Sequence, residues 1–356
     1  MKVPGATKIF FSFSLAVVFI LAFTAVSGAD TQAELQKLYE AAKADGRVVW
    51  SWPTATQVIE PVINKFQAKY PDVKLSAVSI SATSLGSRIV IEASAKKVTV
   101  DVGSALLSYL LPVIERDLMV KYDWTKIVDV HPSRVSYDGR VVSFMEVPRV
   151  WIYNTNLVSK AEAPKTWEDT LDPKWKDGKI TLRGAPSGLA SLFPIWKKDR
   201  KKAVEYLDRL SKQNVLPGKR DSEVINRVAT GECPLGILGA NVVFDAMRKG
   251  APLAICPISP AASDPGVYFI PQGAPHPAAA KLLLAWLASK EGTRAVVDTG
   301  FGPAYPPGAS PMAKLLAENG IAFVPIVSAE DNREYLGPFA KAVMSTMGFM
   351  PEETKP

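Results

Sequence analysis

The chain predicts a two-lobed α/β fold, and three features carry that expectation. Short apolar runs alternate with amphipathic ones along almost its whole length. Two apolar runs, residues 141–147 and 149–154, follow one another with only Pro148 between them, as where a chain leaves one sheet for another. Its 356 residues, 47% hydrophobic and 22% charged, have ordinary globular composition at a length suited to roughly two domains. The 28 prolines, about 8% of the chain against a usual ~5%, fall mostly between the runs and predict stiff connections.

At the N-terminus, MKVPGATK carries Lys2 and Lys8 and no acid, and residues 9–26 are apolar apart from Ser12, Ser14 and Thr24, the layout of a secretory signal. Ser27 and Ala29 occupy the −3 and −1 positions of a cut before Asp30, so residues 1–29 are expected to be a signal peptide. The competing reading is an uncleaved anchor, because the apolar stretch approaches the roughly 20 residues that span a bilayer. No cysteine lies near the cut to take a lipid.

Beyond the cut, residues 32–46 place Leu35, Leu38, Tyr39 and Ala42 on one helical face and stop at Gly46, after which RVVWSW reads as a strand. Residues 57–70 repeat Ile59, Val62, Ile63 and Phe66 at helical spacing, with Pro61 suited to a first helical position, and PDVKLSAVS follows as a strand. The pattern continues with a helix over 84–97, a strand over 98–105 and a helix-like run over 108–120. Past the Pro148 junction a second series begins with the strand KITLRG. Helices are expected over 189–199, 201–213 and 222–232, the strand PLGIL at 234–238, a helix over 241–250 and the strand PLAICPI at 252–258. GVYFIP is a further strand, and 276–292 reads as one amphipathic helix ending at Gly292.

Lysine and arginine total 42 against 35 acidic residues, a charge of +7 that becomes +5 without Lys2 and Lys8. The basic residues are dispersed and mostly alternate with acids, which argues against a nucleic-acid surface. The only histidines, His131 and His276, lack ligand spacing and adjoin prolines, so no metal and no cofactor is expected. Cys233 and Cys256 each lie in or beside an expected strand; they are either a disulfide between neighbouring strands or two buried thiols.

Five segments then resemble a known family: LYEAAKADGRVVW, VWIYNTNLV, APKTWEDTLDPKWKDGKI, ATGECPLGILGANVVFDAMRKGAPL and HPAAAKLLLAWLASKEG. In this order, after a signal peptide, they resemble the extracellular solute-binding proteins of bacterial ABC importers, family 1, in the branch related to ferric-ion-binding periplasmic proteins. The resemblance implies the type II periplasmic-binding-protein fold, two lobes joined by crossing strands with a ligand cleft between them. It also implies a small-molecule solute and a membrane permease as partners. The expected division is 30–145 with 265–300 in lobe 1 and 146–264 with 301–356 in lobe 2, in a monomeric periplasmic protein.

In such folds ligands sit beyond the carboxyl ends of strands, where loops lead into helix N-termini. Trp52 and Thr54, Ser81 and Thr83, and Ser187 all follow expected strands; the hydroxyls serve either a ligand or a helix cap. Arg149 and Tyr153 share one face of RVWIYN, and Arg183 ends KITLRG. A guanidinium grips a carboxylate or phosphate through two parallel hydrogen bonds, so an anionic organic solute is favoured, although either arginine can equally serve a surface ion pair. Trp52 and Tyr153 are an aromatic wall or core residues. Where ferric-binding relatives carry two adjacent tyrosines, this chain reads Asn241, Val242, Val243, Phe244, which removes the phenolates that Fe(III) requires and offers an Asn241 amide instead. Fe(III) transport, a ligand-sensing partner of a membrane receptor and a secreted hydrolase using Asp101 or Glu146 are the alternatives. No GxSxG, HExxH or P-loop supports an enzyme.

Overall fold

The computed structural model describes residues 28–53, 55–124, 130–300 and 310–349. In the first lobe, β1 (Arg47–Trp52) and β2 (Lys74–Ser79) pair in parallel. A four-stranded sheet runs in the order β3 (Gly103–Leu106), β12 (Gly266–Phe269), β5 (Val141–Met145), β4 (Val135–Ser136), with a bridge from Trp50 to Val102 tying β1 to its edge. The second lobe holds a five-stranded sheet, β10 (Leu253–Ile255), β6 (Arg149–Asn154), β9 (Leu235–Gly239), β7 (Ile180–Arg183), β8 (Leu216–Gly218). Its strands β7, β8 and β9 are mutually parallel and β6 runs against them. A short parallel pair, β11 (Ala261–Ser263) and β13 (Phe323–Pro325), lies where the chain turns back.

Four apolar cores form in two pairs. One pair gathers Trp50, Trp52, Phe66 and Trp286, and then Leu85, Leu110 and Phe269. The other gathers Trp151, Phe193, Leu207 and Phe339, and then Val150, Ile152, Val243 and Leu316. Strand β6 serves both of the latter: its period-two alternation turns Trp151 and Tyr153 to one face and Val150 and Ile152 to the other. Among the described residues the chain crosses between lobes at 146–148 and 263–265; Val147 N donates to Ser263 Oγ at 2.9 Å, joining the crossings, and Leu107 N donates to Pro265 O at 2.9 Å, holding the second to the first lobe.

A third link joins the lobes. The helix Ala329–Glu334 is anchored to the second lobe by Lys197–Asp331 (2.6 Å) and Arg200–Glu334 (2.7 Å). It reaches the first lobe through Arg333–Glu115 (2.7 Å) and through Asn332 Nδ2 donating to Tyr137 Oη at 2.9 Å.

Several expectations are corrected. The run 276–292 is two helices, Pro277–Ala288 and Lys290–Val297, because Ser289 caps the second by accepting from Gly292 N, and a Cβ at Gly292 would collide with the Trp286 carbonyl. The first of these is buried on every side from Leu282 to Ala288 rather than amphipathic, packed between the helices Gly28–Ala42 and Lys290–Val297 and strand β1. Residues 98–102 are not part of strand β3; Asp101 and Val102 meet β1 through backbone hydrogen bonds to Val49 and Ser51, and the Asp101 carboxylate accepts from Val49 N (2.7 Å) and His276 N (2.7 Å). Run 189–199 is split between a 3₁₀ segment, Pro186–Leu192, and the helix Phe193–Lys198, and Pro61 does occupy a first turn, in Glu60–Lys69.

Cys233 and Cys256 are separate buried thiols, not a disulfide. Cys233 leads into β9 and Cys256 follows β10, strands that flank β6 on opposite sides and so are not neighbours. Burial pushes the Cys233 thiol up to about 11 and the Cys256 thiol higher still. The expected signal lies outside the described residues except at its end, where the helix Gly28–Ala42 runs across the cut. Among the described residues no helix is long and apolar enough to cross a membrane.

Candidate functional site

Topology brings the edges of both sheets to one cleft of about 620 Å³. In the second lobe Arg149, first in β6, lies opposite Gly239, last in β9, and Arg183 ends the adjacent parallel strand β7. The starting end of an antiparallel strand and the carboxyl ends of its parallel neighbours thus meet at one edge, and Asn241 follows in the first turn of the helix Ala240–Arg248. Gly188 permits the loop after Arg183 to fold back, since a Cβ there would strike the Arg183 carbonyl; this sets Ser187 beside the same space. In the first lobe Gly266 pairs with both Leu106 and Met145, so the ends of β3 and β5 and the start of β12 form the opposing wall. Phe144, Met145 and Leu106 make it apolar, and Ser108 and Tyr109 extend it.

Charge in the cleft is balanced. Arg149 Nη1 donates to Asp221 Oδ1 and Oδ2 at 3.1 and 3.0 Å, with only 10% of the arginine side chain and 23% of the aspartate exposed. Asp221 opens the helix Asp221–Thr230, where the macrodipole favours an anion. Asp264, at the second crossing, accepts from Ser108 N (3.1 Å) and Ser108 Oγ (2.6 Å). Burial pushes its carboxyl up to about 6 against the opposing pull of the Ser108 hydrogen bonds and the Arg149 charge. Burial, with the Asp264 charge adding to it, also raises the Tyr335 phenol, which reaches the cleft from a π-helical turn, Tyr335–Phe339. Asn241 Oδ1 is buried and meets no hydrogen-bond donor among the described residues.

Arg149, Arg183, Ser187 and Asn241 are therefore brought together as cleft residues. Trp52 is not one of them: it is fully buried in the first-lobe core, 5.2 Å from the Trp50 ring and 5.5 Å from Phe144, and it is the following Pro53 that faces the cleft. Tyr153 is buried in the second-lobe core at the far end of β6, roughly 13 Å along the strand from Arg149 at its usual rise. Ser81 is an exposed N-cap of the helix Ala82–Ser94, its Oγ 2.5 Å from Ser84 Oγ, and does not line the cleft. Thr54 and the side chain of Thr83 lie outside the described residues. Asp101 and Glu146 are buried struts, Asp101 meeting His276 Nδ1 at 2.9 Å and Glu146 accepting from Ser143 Oγ at 2.6 Å, and neither opens on the cleft.

Residue-by-residue reading missed Ser108, Asp221, Asp264 and Tyr335. The acids carried a weak signal, Asp221 as a first-turn acid and Asp264 in the proline-flanked loop SPAASDPG. Tyr335 carried none.

Two lobes, paired crossings and a lined cleft between two sheet edges define a solute-binding protein of the periplasmic type. Accordingly, residues 62–316 match the profile of the bacterial extracellular solute-binding protein family, and the chain belongs to that family. Solved structures share the fold. The Trichodesmium protein IdiA (FutA), in complex with iron and citrate ligands, superposes with a TM-score of 0.70 at 18% identity over 86% of this chain and 100% of that one. Iron-bound HitA from Pseudomonas aeruginosa gives 0.68 at 17% identity over 84% and 99%. The periplasmic binding protein AfuA from Actinobacillus pleuropneumoniae, with fructose-6-phosphate bound, gives 0.65 at 21% over 86% and 99%. No significant match occurs among curated proteins.

Proposed function

We propose that the chain is the periplasmic receptor of an ABC importer, a non-catalytic monomer that holds a small organic anion between its lobes and hands it to the membrane permease. The observation that carries this reading is the convergence of Arg149 and Arg183, from the ends of β6 and β7 on either side of β9, on a cleft with an apolar first-lobe wall. Guanidinium forks recognise carboxylate and phosphate, and a cavity of this volume suits a small organic molecule rather than a bare ion. A solute touching both walls favours the closed arrangement, which is what a permease can distinguish.

The shared fold does not choose the cargo, since its members include iron-bound and sugar-phosphate-bound proteins. Site chemistry speaks against Fe(III) here. Asn241 and Val242 stand where a tyrosine pair would be needed, the buried Tyr335 phenol is held protonated, and two guanidiniums repel a trivalent cation. Thermal-shift screening of the mature protein tests the proposal: organic acids or organic phosphates should raise Tm. Stabilisation by ferric salts or neutral sugars alone would refute it.

A further inference from the structure

The cleft is not simply cationic. Arg149 and Arg183 face two carboxylates, Asp221 and Asp264, and one of the guanidinium nitrogens of Arg149 already serves Asp221. A site built for a plain anion has no use for carboxylates inside it, because each repels the ligand and loses hydration on burial. Asp221 is accounted for as the partner that holds Arg149 in place. Asp264 is not: Ser108 fills two of about four acceptor positions on its oxygens. Asn241 Oδ1 is a buried acceptor with no donor among the described residues, on a residue that lines the same cavity. Gly239 supports this placement, since the Cβ of any other residue would lie 2.8 Å from that oxygen.

One acceptor without a donor, Asn241 Oδ1, and one with acceptor capacity to spare, the Asp264 carboxylate, thus line the same cleft as the two guanidinium forks. We propose that the solute is an organic acid that also carries a hydrogen-bond donor, a hydroxyl or an amine, on an apolar body, with Asn241 Oδ1 and the Asp264 carboxylate selecting for that donor. The inference rests on the organic-anion reading and narrows it. Apolar bodies fit against Leu106, Phe144, Met145 and Leu336 while the acid turns to the arginines. Discrimination of this kind is steep, because an analogue lacking the donor leaves a buried acceptor unpaired.

The experiment is a calorimetric and thermal-shift panel of matched acids on aliphatic, aromatic and dicarboxylic skeletons. Each is offered plain, as its α-hydroxy analogue and as its α-amino analogue, beside alkyl phosphates and sugar phosphates. The expected result is binding at least about tenfold tighter for donor-bearing members than for their plain counterparts. The hydroxy and amino arms distinguish the two donors. Asn241→Leu should erase much of that preference, whereas Asn241→Asp, which keeps an acceptor oxygen, should retain it. Equal binding of plain and donor-bearing acids overturns this inference and leaves the organic-anion reading standing. Absence of binding across the whole panel overturns both.

Discussion

Arg149 shows how much a single side chain depends on its partners. Its ion pair with Asp221 is nearly enclosed, so Arg149→Ala removes a proposed ligand contact and also strands a carboxylate. Arg183→Ala removes a cleft guanidinium from the end of β7. Each is expected to weaken anion binding by about 1.5–3 kcal/mol, measured by calorimetry, and Arg149→Ala alone should also lower Tm, a loss that Arg149→Ala/Asp221→Ala partly restores. Asp264 sets a pH dependence. Its carboxyl titrates near 6 in the folded protein, against an unfolded value near 3.8, in the company of Ser108, Arg149, Arg183, Asp221, Tyr109 and Tyr335. The folded state therefore binds this proton more tightly, and the stabilisation is complete below the unfolded value and lost as pH rises through 6. Melting curves from pH 4.5 to 7.5 should show the ligand-free protein losing stability relative to Asp264→Asn as pH rises; a parallel pair of curves would refute this. At this scale legibility was partial. Arg149, Arg183, Ser187 and Asn241 stood at strand ends where topology predicts a site, but Trp52 and Pro53 differ by one position in a strand, and only the pleat decides which faces the core.

Among the elements, the helix Pro277–Ala288 is enclosed over its whole C-terminal half, and Trp286 on it packs 5.4 Å from Phe66. Trp286→Ala is expected to cost about 3–5 kcal/mol in denaturant unfolding, the range for an aromatic removed from a sealed core. Gly292→Ala, a substitution that raises helix propensity in isolation, should nonetheless destabilise the protein because the added methyl meets the Trp286 carbonyl. Most elements were legible because hydrophobic period separates strand from helix: RVVWSW, RVWIYN, KITLRG and PLGIL all form strands as read. The failures have separate sources. The split of 276–292 was written in Ser289 and the first-turn Glu291, an N-cap signal masked by continuous helical composition on both sides, and β8, β11 and β13 are three residues each, too short for any period to register. The π-helical turn that carries Tyr335 is likewise a product of packing, with Pro338 inside it, and nothing local announces it.

At the scale of the molecule, the described residues join the lobes through the crossings at 146–148 and 263–265 and through the helix Ala329–Glu334, which is tied to both sides. Small-angle scattering should register a smaller radius of gyration on addition of a bound solute, and Arg333→Ala, which removes an exposed pair worth at most about 1 kcal/mol, should leave Tm nearly unchanged while shifting the open-to-closed balance. Both cysteines, by contrast, belong to one lobe only, and strand β6 keeps them apart. They make the protein its own reporter. An alkylating reagent followed by peptide mass spectrometry reads how often the second lobe opens, one position at each side of strand β6, with no label introduced and no signal from the first lobe. A solute that braces both lobes should slow the two modifications together, whereas one that touches only the first lobe should leave their rates alone.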